Sequence, residues 1–237
     1  MRNNNFLSAA ATGVAARAAV AVAVLALLPL LPALGVVAVA DPVPASPAVA
    51  APAVATPAVV DTDPGQLIES AAQAMLADLD AHRAEYRKDP ASINALVDRI
   101  LLPHFDTSYS ARLVLGRHWT PATPEQRQRF IDGFYHSLLT NYGTALLDFT
   151  GDRLKVFPYK GDAAATNATV RTQVRKDDGS TVAVNYSLRR TDKWMAWDVI
   201  IEGISYVKSF RDDFGAEIDQ KGLDAVIARL EKQGKAK

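Results

Sequence analysis

Four imidazoles and a scatter of carboxylates are what this chain offers for catalytic or metal chemistry, and it has no cysteine at all. Without thiols there is no thiolate nucleophile, no thiolate-bound zinc and no disulfide staple. The imidazoles are His82, His104, His118 and His136, with Asp106 two residues after His104. A zinc or catalytic centre needs His at fixed spacings on one helix face, or close to a nucleophile, and these spacings provide neither. No Gly-rich phosphate loop and no Gly-x-Ser-x-Gly elbow occurs. The histidines therefore read as capping or surface residues and Asp106 as a helix N-cap. Asp198 and Glu202 read as solvated acids, Asp198 because strand alternation turns it away from the Trp197 face. No catalytic residue and no metal ligand is expected.

Acids and bases balance over the whole chain, and removing residues 1–40, which hold Arg2, Arg17 and no acid, leaves a slight acidic excess. That balance argues against a nucleic-acid partner, which calls for a clustered basic surface.

The elements that must position any site begin after residue 61. Asp63-Pro64 reads as an N-cap followed by proline at the first helical position, and Ile68, Ala71, Met75, Leu79 and Tyr86 then recur at helical spacing. Asp89-Pro90 reads as a second such start, with Ile93, Leu96, Val97 and Ile100 forming an apolar stripe that Pro103 stops. A third helix is expected from Asp106 to Leu115, closed by Gly116. Thr123-Pro124-Glu125-Gln126 combines a capping box with a proline start, and Phe130, Phe134, Leu138 and Tyr142 follow on one stripe beside Ile131, Tyr135, Leu139 and Leu146. An arc that wide must be covered on two sides.

From Gly151 the period drops to two. Leu154 and Val156 open a strand, Ala168, Val170, Thr172 and Val174 face one way on the next, and Asp177-Asp178-Gly179 turns the chain. Val182, Val184, Tyr186 and Leu188 return, and a fourth strand sets Met195, Trp197, Val199 and Ile201 on one face. Helical spacing resumes with Ile204, Val207, Phe210, Phe214 and Ile218 as far as Gly222, and Leu223, Val226, Ile227 and Leu230 supply a last short helix. The expected fold is α+β, with helices packed on one face of a curved antiparallel four-stranded sheet, a cone like that of NTF2-like domains that encloses an apolar cavity.

The first quarter of the chain is different in kind. Ala18 to Ala40 is an uncharged apolar run preceded by Arg2 and Arg17 and ending in Ala38-Val39-Ala40, the pattern of a secretory signal; an uncleaved membrane anchor is the alternative. Residues 41–61 are mostly Ala, Pro and Val, with five prolines between Pro42 and Pro57, and read as an extended tether. The domain organisation is thus signal or anchor 1–40, tether 41–61 and one folded domain 62–237, of roughly 175 residues and large enough for a full core. Either reading of the first segment places the domain beyond the inner membrane.

Three ordered segments resemble the MlaC family, also called the toluene-tolerance family. They are Leu102-Pro103-His104-Phe105-Asp106 continuing through Ala111 to Trp119; Ala122-Thr123-Pro124-Glu125-Gln126-Arg127 with Phe130, running to Leu147; and Trp197-Asp198-Val199 with Glu202-Gly203-Ile204-Ser205, followed by Gly222-Leu223-Asp224. The match spans about residues 62 to 233; the Ala/Pro tether lies outside the family's core pattern. The resemblance implies a periplasmic, non-enzymatic phospholipid-binding shuttle that serves outer-membrane lipid asymmetry. Its partners would be an inner-membrane ABC transporter with an MCE-domain subunit and an outer-membrane lipoprotein complex, with bound phospholipid as cargo and no cofactor. The lipid-lining candidates are Leu113, Val114 and Leu115; Phe130, Phe134, Leu138 and Tyr142; and Val199, Ile201, Ile204 and Val207. Arg112, Arg117, Arg127 and Arg129 read as a solvated face or as a contact with lipid phosphate or an acidic partner. Two other readings stay open. A cone-shaped domain also suits an isomerase or hydratase, which would need an acid such as Asp198 pointing inward. A tethered module that binds only proteins would have a filled core.

Overall fold

Asp63 starts the first helix as its spacing predicts. Its carboxylate accepts hydrogen bonds from the Gly65 and Gln66 amides at 2.8 and 2.9 Å, and Pro64 takes a position where no amide is needed. The resulting helix α1 spans Pro64–Lys88. The computed structural model describes residues 57–234 other than Pro90, Phe149, Ala163 and Asp177, so the apolar run and most of the Ala/Pro stretch lie outside the described residues.

The expected second start at Asp89-Pro90 is displaced. Asp89 closes α1 by donating its amide to the Glu85 carbonyl, and α2 covers Ser92–Ile100 with Ala91 at the N-cap position and no side-chain cap. Two helices separated by so few residues compete for the same groups, and the end of α1 claims Asp89. Helix α3, Thr107–Leu115, is capped by the Asp106 carboxylate on the Tyr109 amide at 2.9 Å and ended by Gly116 at φ 51°. Helix α4, Pro124–Tyr142, has its full capping box: Thr123 Oγ1 accepts from the Gln126 amide and Gln126 Oε1 from the Thr123 amide. Two more helices close the chain, α5 at Tyr206–Lys221 and α6 at Leu223–Gly234, divided by Gly222 at φ 82°.

Between α4 and α5 lies one antiparallel sheet in sequential order, with strands β1 Leu154–Val156, β2 Asn167–Arg175, β3 Thr181–Arg190, β4 Trp194–Ile201 and β5 Ile204–Ser205. It has five strands where four were expected. Glu202 at φ 47° and Gly203 at φ 81° form a two-residue turn of the kind that matches strand twist, and it folds Ile204 and Ser205 back onto Ile201 and Ile200. Ile204 is consequently a strand residue, 58% exposed, rather than the start of the following helix.

The inward face of β2 is as predicted: Ala168, Val170, Thr172 and Val174 are buried while Thr169 and Arg171 face solvent. The alternation of β4 is not. Its pairing to β3 shifts between Ser187 and Leu188, so that Asp198 stands opposite Ser187 while Ala196 stands opposite Leu188, and Trp197 is the extra residue. A bulge of this kind reverses which residues face inward on its two sides. Before it Trp194 and Ala196 are buried, in place of the expected Met195 and Trp197; after it Val199 is buried.

Helices and sheet are joined by four packed clusters, the smallest of which sets Val174, Val184 and Val199 of the sheet against Leu76 of α1 and Tyr206 of α5. One fills the space between α3, α4, α5 and α6, with Phe130, Phe134, Phe210 and Phe214 in mutual ring contact at centroid distances of 5.1 to 6.1 Å. A second joins α1 and α2 to Leu139, Leu146 and Leu147. A third sets Leu67 and Ile68 of α1 against Val170, Leu188, Trp194 and Ala196 of the sheet. The stretch before α1 is fastened to the domain as well: the Trp194 amide donates to the Asp61 carbonyl at 3.1 Å, the Val60 amide to Ser70 Oγ at 2.8 Å, and Val59 packs against two of the clusters. No described helix is long and apolar enough to cross a membrane.

Candidate functional site

The clusters leave a cavity of about 150 Å³ between them, partly open to solvent. Leu67, Ile68, Ala71, Ala72 and Met75 of α1 form one wall, and Val97 of α2 with Leu101, Leu102, His104 and Phe105 continues it. Val114 of α3, Phe134, Tyr135 and Leu138 of α4, and Leu146 lie across from them. Tyr186, Ala196 and Val199 supply the sheet side, and Tyr206, Val207 and Phe210 of α5 complete the lining. Aliphatic and aromatic side chains predominate, which is the chemistry of a site for hydrocarbon.

The polar groups at this cavity are largely bonded within the protein. Ser110 Oγ sits 2.5 Å from the Trp197 carbonyl and 2.9 Å from the Asp106 carbonyl. The Tyr135 hydroxyl donates to Asp98 Oδ1 at 2.7 Å, and burial, then that carboxylate, push its pKa far above the ordinary phenol value. Burial alone raises Tyr186 strongly and Tyr206 to a lesser degree.

Asp198 is the residue the sequence misplaced most. It is buried, 3% exposed, and belongs to the cavity wall rather than to solvent. Its Oδ2 accepts from Ser205 Oγ at 2.6 Å and its Oδ1 from the Val207 amide at 3.0 Å, while Ser205 Oγ itself accepts from the Lys208 amide at 3.1 Å. The carboxylate therefore closes the N-terminus of α5, where free amides and the helix dipole both favour an anion. The Trp197-Asp198-Val199 and Gly203-Ile204-Ser205 stretches are a single device that fixes α5 against β4. An inward acid is what an isomerase would need, but both oxygens of this one are engaged in holding a helix.

His104, expected at the surface or in a cap, is also part of the wall, its side chain 16% exposed. Its Nδ1 lies 3.8 Å from Asp61 Oδ2, too far for a hydrogen bond, and the same carboxylate is 3.4 Å from Lys193 Nζ. Burial lowers the His104 pKa, Lys193 adds to the lowering, and Asp61 opposes it. The other imidazoles are apart from it: His82 beside Asp78, His118 beside Asp219 and His136 on the Asp132 carbonyl. No cluster of three or more His, Asp or Glu suited to a metal lies among the described residues.

Of the candidates chosen from sequence, Val114, Phe134, Leu138, Val199 and Val207 line the cavity. Leu115 and Phe130 are buried in the helical cluster behind it, Ile201 packs at the far end of the sheet, and Leu113 and Tyr142 are half-buried outside the lining. Ile204 is exposed on β5. The α1 wall was overlooked as a lining. Its stripe was visible, and the paired small residues Ala71 and Ala72 within it were the one hint of open space rather than tight packing. Three of the four arginines read as a cluster are committed: Arg117 pairs with Asp219, Arg129 grips Glu231 through Nε and Nη2, and Arg127 donates to the Trp119 and Thr120 carbonyls while stacking on the Trp119 ring. Arg112 is exposed on α3.

Comparison with known proteins gives matches of one kind. Residues 69–232 match the family described as MlaC protein. The toluene tolerance protein ttg2D of Pseudomonas putida is 32% identical over 163 residues, covering 68% of this chain and 75% of that protein. The binding protein MlaC of the intermembrane phospholipid transport system of Haemophilus influenzae is 21% identical over 178 residues, covering 73% and 83%. Among solved structures, the phospholipid-binding protein from Ralstonia solanacearum, in complex with a phospholipid, superposes with a TM-score of 0.66 at 24% identity over 74% of this chain and 97% of that one, a likeness of fold.

Proposed function

The chain belongs to the MlaC family, and on that premise we propose that it is a periplasmic phospholipid-binding shuttle that carries lipid between the inner and outer membranes. The observation that carries this reading is the cavity between α1, α4, α5 and the sheet, apolar in its lining and with Ser110, Tyr135 and Asp198 already hydrogen-bonded inside the protein. Such a site has little to offer a reacting group and much to offer a hydrocarbon chain. Burial of acyl chains contributes about 0.8 kcal/mol per methylene relative to water, on the order of 20 kcal/mol for two long tails. A bilayer offers the same gain, so a carrier has only to match the membrane with a dry interior and leave the polar head outside. A cavity of about 150 Å³ accommodates a benzene-sized group, so loading two tails requires the walls to move apart.

In this reading residues 1–40 export the protein and 41–61 tether or space it. Lipid is handed over at an inner-membrane ABC transporter with an MCE-domain subunit and at an outer-membrane lipoprotein complex. No chemical step is assigned to the chain. Native mass spectrometry of the exported protein, followed by extraction of anything bound, tests the proposal. Phospholipid near one molecule per chain is the expected result. A protein that is empty on purification and stays empty after incubation with labelled liposomes would falsify it.

A further inference from the structure

The helices cover one face of the sheet and leave the other open, and that open face has a one-sided charge. The outward positions of β1, β2 and β3 carry Lys155, Arg171, Arg175 and Arg189 and no acid; the remainder are small or uncharged polar residues. The nearby acids Asp162, Asp178, Asp192 and Glu202 lie in the connecting turns, Glu202 engaged on the Ala183 amide of β3. Arg189 is committed, with Nε 3.0 Å from Asp106 Oδ2 and its guanidinium over the Tyr109 ring at 4.2 Å. Lys155 and Arg171 make no ion pair among the described residues. They flank one aromatic ring instead: Lys155 Nζ is 5.0 Å and the Arg171 guanidinium carbon 5.8 Å from the centre of Phe157, whose amide bonds to the Arg171 carbonyl at 2.9 Å. Both cations are exposed and the ring is half-buried.

We infer that this face, centred on Phe157 between Lys155 and Arg171, is the surface by which the protein settles on anionic phospholipid bilayers. Unpaired cations around an aromatic ring are the combination that sits at a membrane surface, the charges against phosphate and the ring at headgroup depth. A protein partner is less well matched, because protein interfaces are anchored by buried apolar or aromatic groups at their centre, and the outward positions nearest this ring, Thr169, Gln173, Asn185 and Ser187, carry amides and hydroxyls. Each basic side chain near an anionic surface contributes about a fivefold gain in partitioning. The two together give about 25-fold, enough for a visiting complex and too little for a permanent one. The inference goes beyond the carrier reading in naming a surface, and it stands on charge and geometry outside the cavity.

The test is co-sedimentation of the exported protein with vesicles of phosphatidylcholine alone or with added phosphatidylglycerol, at low and high salt, with bound cargo measured on the same samples. The wild type is expected to bind the phosphatidylglycerol vesicles and to be released by salt, which screens such contacts beyond about 10 Å at 0.1 M. The double variant Lys155→Ala/Arg171→Ala should lose about 25-fold in binding and keep its cargo; if it melts early, Lys155→Gln/Arg171→Gln replaces it. The control Arg87→Ala/Lys88→Ala, which removes two exposed cations at the end of α1, should bind as the wild type does. Equal losses in the two double variants would mean that net charge alone is read, and would overturn the inference. So would wild-type binding to both vesicle types alike, or an unaffected Lys155→Ala/Arg171→Ala protein, which would leave an acidic protein as the occupant of this face. An empty protein that still settles on phosphatidylglycerol vesicles would sink the carrier reading and leave this one standing.

Discussion

Leu138 is half-buried on α4, with its side chain at the cavity and at the edge of the helical cluster. Leu138→Arg would place an unpaired charge against hydrocarbon, at a cost of several kcal/mol to any bound tail. Lipid content per purified chain should therefore fall more than tenfold while the far-ultraviolet circular dichroism is unchanged; unaltered lipid content would remove α4 from the lining. His104 makes a different prediction, about pH. Because burial and Lys193 lower its pKa in the folded chain, the native state binds its proton less readily than the unfolded state does. Its contribution is fully present above the unfolded value of about 6.5 and is lost as pH falls through the lower folded value. Urea titrations of wild type and His104→Phe between pH 5 and 7.5 should show the wild type losing stability faster on acidification, and parallel curves would contradict the assignment. His104 could not be placed on the wall from sequence, because the carboxylate and ammonium that face it come from the stretch before α1 and from the turn before β4.

At the scale of elements, the junction of β4 with α5 is the least predictable part of the molecule and the one most exposed to a single change. Replacing Asp198 by Ala would leave the Ser205 hydroxyl and the Val207 amide without their acceptor in a buried setting, a loss of about 2–4 kcal/mol. Asp198→Asn, which keeps one acceptor oxygen, should cost about half as much. Both follow from urea midpoints, and an Asp198→Ala protein as stable as the wild type would refute the capping role. Retention of lipid by Asp198→Asn would set this acid apart from a catalytic one. Element type was legible almost throughout. Asp63, Asp106 and Thr123 announce their helices through local hydrogen bonds, and β2 shows its inward face by alternation. What could not be read depended on partners distant in the chain. The bulge at Trp197 exists because β4 must pair with β3 on both sides of it, and Asp198 is buried because Ser205 and the start of α5 fold over it. The two-residue strand after Gly203 needs a left-handed Glu202, which its side chain supports by accepting from the Ala183 amide on β3 at 2.5 Å. Six of the eleven lining candidates lie outside the cavity for a related reason. Core and cavity share one composition, and only the meeting of α1 with α4 and α5 decides which apolar residue is left facing space.

For the molecule as a whole, what occupies the cavity should bear on global stability. Four apolar clusters surround the cavity, and a hydrocarbon tail within it would supply partner atoms to its lining side chains. A ligand that binds the folded chain and not the unfolded one stabilises it by an amount set by its concentration relative to Kd, about 4 kcal/mol at a thousandfold excess. For a domain of this size each kcal/mol raises Tm by about 2–4 °C, so loading should raise it by on the order of 10 °C. The rise should appear when delipidated protein is incubated with phospholipid vesicles and the vesicles are then removed, because only transferred lipid remains. Leu138→Arg should show little of it, since its fold is intact and its cavity is not. A delipidated protein whose melting is indifferent to vesicles would mean that the walls close over the space and no tail enters. The open sheet face would then be left as the principal surface through which this chain could meet a membrane.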